Sequence, residues 1–157
     1  MALHWTVSHR HRLVLAIARN GIAFDDVDRY LTALVVERAL PYRKLFDLSF
    51  APEAMALEDI GRLAERARHF AGDYALGPVA IVTGNDETWR AALRYAEQAT
   101  ARRPLTVFRD IREARQWLDG QPLPFGPSAR SHRTAGLQAP SDSSSDPESE
   151  PGGPRST

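Results

Sequence analysis

Leu3, Trp5 and Val7 alternate with His4, Thr6 and Ser8, the period of two expected of a strand with one buried face and a place near the sheet edge. The almost wholly apolar run Leu13 to Ala18 suits a strand covered on both faces by helices, and His9 to His11 then form the turn of a hairpin. Phe24, Val27, Leu31, Leu34 and Val35 recur at helical spacing behind Asp25 and Asp26, whose charges favour a helix start. That helix should run to about Ala39, ahead of Pro41. Lys44 to Phe50 reads as a strand closed by Pro52. Leu57, Ile60, Leu63, Ala64, Ala67, Phe70 and Ala71 mark a second amphipathic helix, which exits through Gly77 and Pro78. Val79 to Thr83 is a fully apolar strand, and Trp89, Leu93, Ala96 and Thr100 are expected to line the buried side of the next helix. Leu105 to Phe108 forms a last strand. Asp110 with Glu113 three residues on is an acidic capping box for a final helix that buries Ala114, Trp117 and Leu118.

The order is thus β-β-α-β-α-β-α-β-α, an α/β fold with a mixed sheet of about five strands flanked by about four helices. Strands separated by helices return in parallel through right-handed crossovers. The pattern collapses after Gly120, where seven prolines are scattered among Ser, Gly and Asp, with Phe125 and Leu137 nearly the only large apolar residues. One domain over residues 1–120 and a disordered Pro/Ser-rich tail over 121–157 are expected, because such a tail cannot bury enough surface to offset its ordering entropy.

Charge narrows the function classes. Basic and acidic residues number 20 each, split 17 to 16 up to Gly120 and 3 to 4 beyond it. No global field therefore draws the chain to nucleic acid or to an anionic membrane. Cysteine is absent, which removes disulfides, thiolate metal sites and thiol nucleophiles. No apolar run approaches a membrane span, and the first residues carry no leader pattern, so a soluble cytoplasmic protein is expected. Lys44 is the only lysine among the 20 basic residues, a bias that fits a GC-rich genome.

Three segments resemble a known family: Lys44-Leu45-Phe46-Asp47-Leu48-Ser49, the run Val79 to Asp86 (VAIVTGND), and the run Val107 to Leu118 (VFRDIREARQWL). Together they resemble the SpoIIAA-like STAS/SEC14-type proteins of bacteria, over about residues 3 to 119. The resemblance implies a STAS-like α/β sandwich and, for many relatives, no enzymatic role. In the best understood STAS domains a Ser or Thr at the start of the helix after the third strand is phosphorylated by a partner kinase. Residues 50–59 here contain no hydroxyl, so that switch is carried over to no residue; Ser49 is the nearest hydroxyl and reads as a turn residue serving the backbone. The SEC14-like side of the resemblance implies a small apolar ligand or lipid.

The remaining candidates have a plain and a functional reading. Gly84 and Asn85 join a buried strand to a helix, where backbone amides can meet an anion. The turn has one glycine and no lysine, however, and the plainer reading is that Gly84 permits the turn while Asn85 or Asp86 caps the helix. His9 and His11 lack the further ligands a metal needs and stand beside Arg10 and Arg12, so no metal is expected. Asp47, at the end of a central strand, has the place of a general acid or base but no partner base, and bracing is the plainer role. Arg109 and Asp110 read as an ion pair and a cap. The tryptophans read as core, with Trp89 the one aromatic placed to line a pocket mouth.

Two functions follow. The first is a non-enzymatic regulatory or protein-interaction module of STAS type, lacking the usual phosphorylatable residue and binding an unidentified protein partner. The second is a carrier of a small apolar ligand or lipid. Asp47, Ser49, Gly84, Asn85 and Trp89 are the candidate binding residues; no catalytic residue, cofactor, metal or nucleic acid is expected, and self-association is compatible with the sequence.

Overall fold

The computed structural model describes residues 2–99 and 103–124. The expected tail beyond Pro124, with Phe125, and the expected helix residue Thr100 lie outside the described residues. All described elements belong to one unit, Met1–Pro127.

The elements run β1 (Leu3–Ser8), β2 (Leu13–Ala18), α1 (Phe24–Val36), β3 (Arg43–Leu48), α2 (Leu57–Asp73), β4 (Val79–Thr83), α3 (Asp86–Gln98), β5 (Leu105–Phe108) and α4 (Ile111–Asp119). This is the order that the hydrophobic pattern predicts. In the sheet they lie β1-β2-β3-β4-β5, in chain order. The β1–β2 hairpin is antiparallel and every other pair is parallel, with Val14 opposite Lys44, Lys44 opposite Val79, and Val79 opposite Leu105.

That order places the helices. Three right-handed crossovers that all advance toward the same edge must leave their helices on the same face. Accordingly α1, α2 and α3 share one face, where Val14, Ala16 and Ala18 of β2 meet Val27, Tyr30 and Leu34 of α1 and Leu63 and Phe70 of α2. Val79, Ile81 and Val107 meet Ala92 of α3 on the same side. Among the described residues no strand follows β5, and α4 folds back over the opposite face, burying Ala114 and Leu118 against Leu45, Ala80 and Val82.

Helix ends follow local chemistry. Asp26 reaches back to accept from the Ala23 amide at 3.0 Å, half of a capping box, since Ala23 has no side-chain oxygen to complete it. Helix α1 stops at Val36, short of the expected Ala39, because Arg38 turns into the left-handed region at φ 56°. The Arg38 amide then donates to Val35 and the Ala39 amide to Leu34, a Schellman closure without its usual glycine. Exchanging Arg38 for Gly should therefore stabilise the fold by about 0.5–1 kcal/mol in urea titration; a loss of stability would show that the arginine side chain matters more than its backbone.

Three burial expectations need correction. The buried stripe of α3 is Thr88, Ala92 and, half-buried, Tyr95, one residue out of phase with the expected one; Leu93 is 39% exposed. The small Ala92 lets the helix lie close to the sheet, and Ala99 just past its end packs on Ala64 and Ala67 of α2. The expected α2 stripe loses its first member, Leu57, which is 63% exposed where the helix leaves its loop. Strand β2 is covered fully on one face only: Leu13, Leu15 and Ile17 are half-buried, because the single helix α4 lies over β3, β4 and β5.

Candidate functional site

The C-terminal ends of β3 and β4 carry four of the five sequence candidates or hold them close. Gly84 lies so near the Ser49 carbonyl that a Cβ there would stand 2.2 Å from its oxygen. Its φ is not positive, so close approach and not turn conformation demands the glycine. Asn85 donates from Nδ2 to the Ala51 carbonyl at 3.1 Å, and its Oδ1 accepts from the Thr88 amide at 2.8 Å, capping α3. Asp47 is buried and its Oδ1 accepts from the Ser49 amide at 2.9 Å, closing a turn at the strand end and not bracing a helix. The loop from Ser49 to Ala51 is thus riveted to the β4–α3 turn.

The Asn85 cap takes the Thr88 amide, one of the donors that an anion at the α3 start would use, and Asp86 and Glu87 add negative charge in that first turn. Trp89 is half-buried among Val79, Ile81 and Val107, with the Arg109 guanidinium 4.5 Å over its ring. It does not line the cavity described below. Arg109 pairs with Asp86 at 2.9 Å and the Asp110 carboxylate accepts from the Arg112 amide at 2.7 Å, the ion pair and cap that the sequence suggests. His9 contacts the Tyr42 hydroxyl and the Glu37 carboxylate, at 2.9 and 3.2 Å, and no metal-ligand cluster occurs among the described residues.

Beneath this loop, between the sheet and helices α1 to α3, lies a cavity of about 110 Å³. Its walls are mostly apolar: Phe46 and Leu48 of β3, Ile81 of β4, Leu31 of α1, Ile60 of α2 and Ala92 of α3. Ala51, Glu53, Ala54 and Met55 border it at the loop. Lys44, Tyr30, Tyr95 and Arg103 also line it, and Lys44 and Arg103 place their polar end at the opposite edge of the sheet, where β3 and β5 begin.

That end holds the least ordinary chemistry of the fold. Lys44, the only lysine, is 3% exposed, and its ammonium donates to the Leu40 and Tyr42 carbonyls. Arg103 donates to the Tyr95 hydroxyl at 3.2 Å. The Tyr30 hydroxyl and the Arg103 Nε, both buried, meet no hydrogen-bonding partner among the described residues. An unpaired buried donor costs about 1–3 kcal/mol, so such groups call for an explanation. Tyr30 is otherwise held by edge-on rings, Trp5 at 5.7 Å and Phe46 at 5.6 Å.

Burial holds the Lys44 ammonium well below the ordinary lysine range, and the positive Arg103 pushes it the same way. Burial raises Tyr30, with Arg103 opposing and Tyr95 assisting. The two act in separate pH windows. Above its depressed native value Lys44 holds fewer protons folded than unfolded, so stability should rise with pH until the unfolded lysine titrates near about 10.4, by at most about 1.4 kcal/mol per pH unit. Tyr30 contributes the reverse above about pH 10, where only the unfolded tyrosine ionises. Urea titrations between pH 7 and 10 should show the rise in the native chain and a flatter profile in Lys44→Met. Parallel profiles would mean that Lys44 is charged and at ease in the fold.

Tyr30, Lys44, Tyr95 and Arg103 were not legible as a group from the sequence. Tyr30 sits between Val27 and Leu34 on the α1 stripe, and a lysine in the apolar phase of a central strand was the one signal that could have pointed here.

No protein-family model and no curated protein matches this sequence. Solved structures do match. A candidate anti-sigma factor antagonist from Thermotoga maritima aligns with a TM-score of 0.50 and 11% identity, over 74% of this chain and 94% of its own. An uncharacterised protein with a SpoIIAA-like fold from Shewanella loihica aligns with a TM-score of 0.51 and 16% identity, over 74% of this chain and 93% of its own. The fold of this chain is therefore SpoIIAA-like, as the three segments near Lys44, Val79 and Val107 imply.

Proposed function

We propose that this SpoIIAA-like chain is a regulatory module that works by binding a protein partner, without catalysis and without a phosphorylation switch. One observation carries the reading: the loop after β3 is riveted to the β4–α3 turn through Gly84 and Asn85, yet it shows Phe50 to solvent at 67% exposure and leads to Leu57 at 63%. A large apolar side chain held outward on a braced loop is suited to anchoring a partner. That one structural neighbour is described as a candidate anti-sigma factor antagonist agrees with a protein partner. Ser49 is half-buried against Gly84 and residues 50–59 carry no hydroxyl, which supports a module that is constitutive and not phosphorylated there. Asp47 meets the Ser49 amide, and the histidines of the described residues lie elsewhere, on the hairpin and on α2, which supports a role without acid–base chemistry. No helix among the described residues is long and apolar enough to cross a membrane.

Capture from a lysate of the encoding organism tests the reading, with the native chain and Phe50→Asp as parallel baits. A protein retained by the first and lost from the second, with unchanged circular dichroism, supports it. Identical retained sets would contradict it.

The cavity favours a second reading, a carrier of a small apolar ligand. Native mass spectrometry of protein purified without detergent should then show a co-purifying mass, and uniformly apo protein from several hosts would count against a tightly held ligand.

A further inference from the structure

We infer that the cavity takes a linear apolar monocarboxylate, its carboxylate held by Arg103 and the Tyr30 hydroxyl and its hydrocarbon lying along β3. The inference rests on the carrier reading and names the chemistry of the ligand.

Polarity gives the first argument. Among the described residues neither Lys44 nor Arg103 takes part in an ion pair, although every ion pair of the fold lies outside the cavity. Arg103 lies close enough to Lys44 to disfavour its charge, which leaves the guanidinium as the cation of the cavity, and a single anion beside it offsets the cost of burying it. The Arg103 Nε and the Tyr30 hydroxyl, unmatched by acceptors among the described residues, are donors of the kind a carboxylate accepts. The one carboxylate lining the cavity, Glu53, is exposed at the loop, at the opposite end of β3. A negative head is therefore turned away from the loop and toward Arg103.

Shape gives the second. Lys44, Phe46 and Leu48 face the cavity from alternate positions of one strand, so its wall extends about 13 Å at a rise of about 3.3 Å per residue. With about 110 Å³ available, that length suits a narrow chain better than a globular or multiply charged ligand. A phosphate dianion would bring a second negative charge into a mostly apolar cavity, which costs more to bury than one.

Octanoate and octan-1-ol, both below their aggregation limits, separate the claims by titration calorimetry. Octanoate is expected to bind at least about tenfold more tightly than the alcohol, as one charge-assisted contact warrants. Arg103→Gln should bring the two within about twofold, and Tyr30→Phe, which removes only a hydroxyl, should weaken octanoate about threefold while leaving octanol unchanged. Circular dichroism of both variants confirms that they fold. Equal binding of acid and alcohol would overturn the charge assignment while leaving the carrier reading intact. Binding of neither would overturn both, and so would an acid preference that survives Arg103→Gln overturn the role given to that residue.

Discussion

Leu118→Ala is expected to cost about 3–4 kcal/mol in denaturant titration, within the range of about 2–5 kcal/mol for buried leucine truncations. Leu118 is 1% exposed and sits at the contact of α4 with Leu45, Ala80 and Val82, the whole helical cover of that sheet face among the described residues. Its carbonyl also accepts from Arg43 Nε at 3.0 Å, and Arg43 donates to the Gln121 carbonyl at 2.7 Å, so β3 clasps the end of the helix. Losing the packing leaves that clasp strained over a void. The sequence assigns this central place to Trp117, with a loss of about 3–5 kcal/mol on truncation to alanine. The structure corrects that assignment: Trp117 is half-buried, its ring tilted on Phe108 at 5.6 Å, and Trp117→Ala should cost about 2 kcal/mol. Asp110→Ala removes a cap and should cost about 1 kcal/mol. The order Leu118, Trp117, Asp110 is the content of the prediction; if Leu118→Ala were the mildest of the three, α4 would not be the cover of this face.

Gly84→Ala should cost about 3 kcal/mol or more, the upper end of overpacking effects, because the added methyl meets backbone and not a flexible side chain. The nearest atoms are the carbonyl oxygen, carbonyl carbon and Cα of Ser49, at 2.2, 3.0 and 3.1 Å, and none can rotate away. The β3–α2 loop must lift, and the Asn85 bond to Ala51 must stretch with it. Gly120→Ala is the control. Its Cβ would meet the Trp117 carbonyl at 3.5 Å, an ordinary contact, and the change should stay within about 0.5 kcal/mol. Urea midpoints for the two variants decide the matter, and equal midpoints would mean that the loops are not in contact in solution.

The sequence was most informative where one period held over a whole element. Val79 to Thr83 and Leu105 to Phe108 are strands at the expected bounds because their apolar runs are closed by Gly84 and opened by Pro104. It was less so where small residues carry the packing. Thr88 and Ala92 are buried without looking hydrophobic beside Trp89 and Leu93, and so the apolar pattern places the α3 face one residue out of phase. Asymmetric cover of β2 leaves no mark on the sequence either, since it depends on α4 being the one helix on its face among the described residues, a consequence of strand order. The candidate residues Asp47, Ser49, Gly84 and Asn85 do converge, because strand ends of a parallel sheet gather their loops. The cavity groups do not announce themselves, because Tyr30, Lys44 and Tyr95 come from three separate elements and Arg103 from the segment before β5, and only the crossovers bring them together.

The proposed partner surface is the loop between β3 and α2. Amide hydrogen exchange of this chain, free and with the protein captured by the native bait, measures that directly. Slowed exchange is predicted over residues 49–57 and 84–86, with β1 and α4 unchanged. Protection confined to β1, β2 and α4, where Leu13, Leu15 and Ile17 lie half-covered, would place the partner on the other face of the sheet and contradict the account.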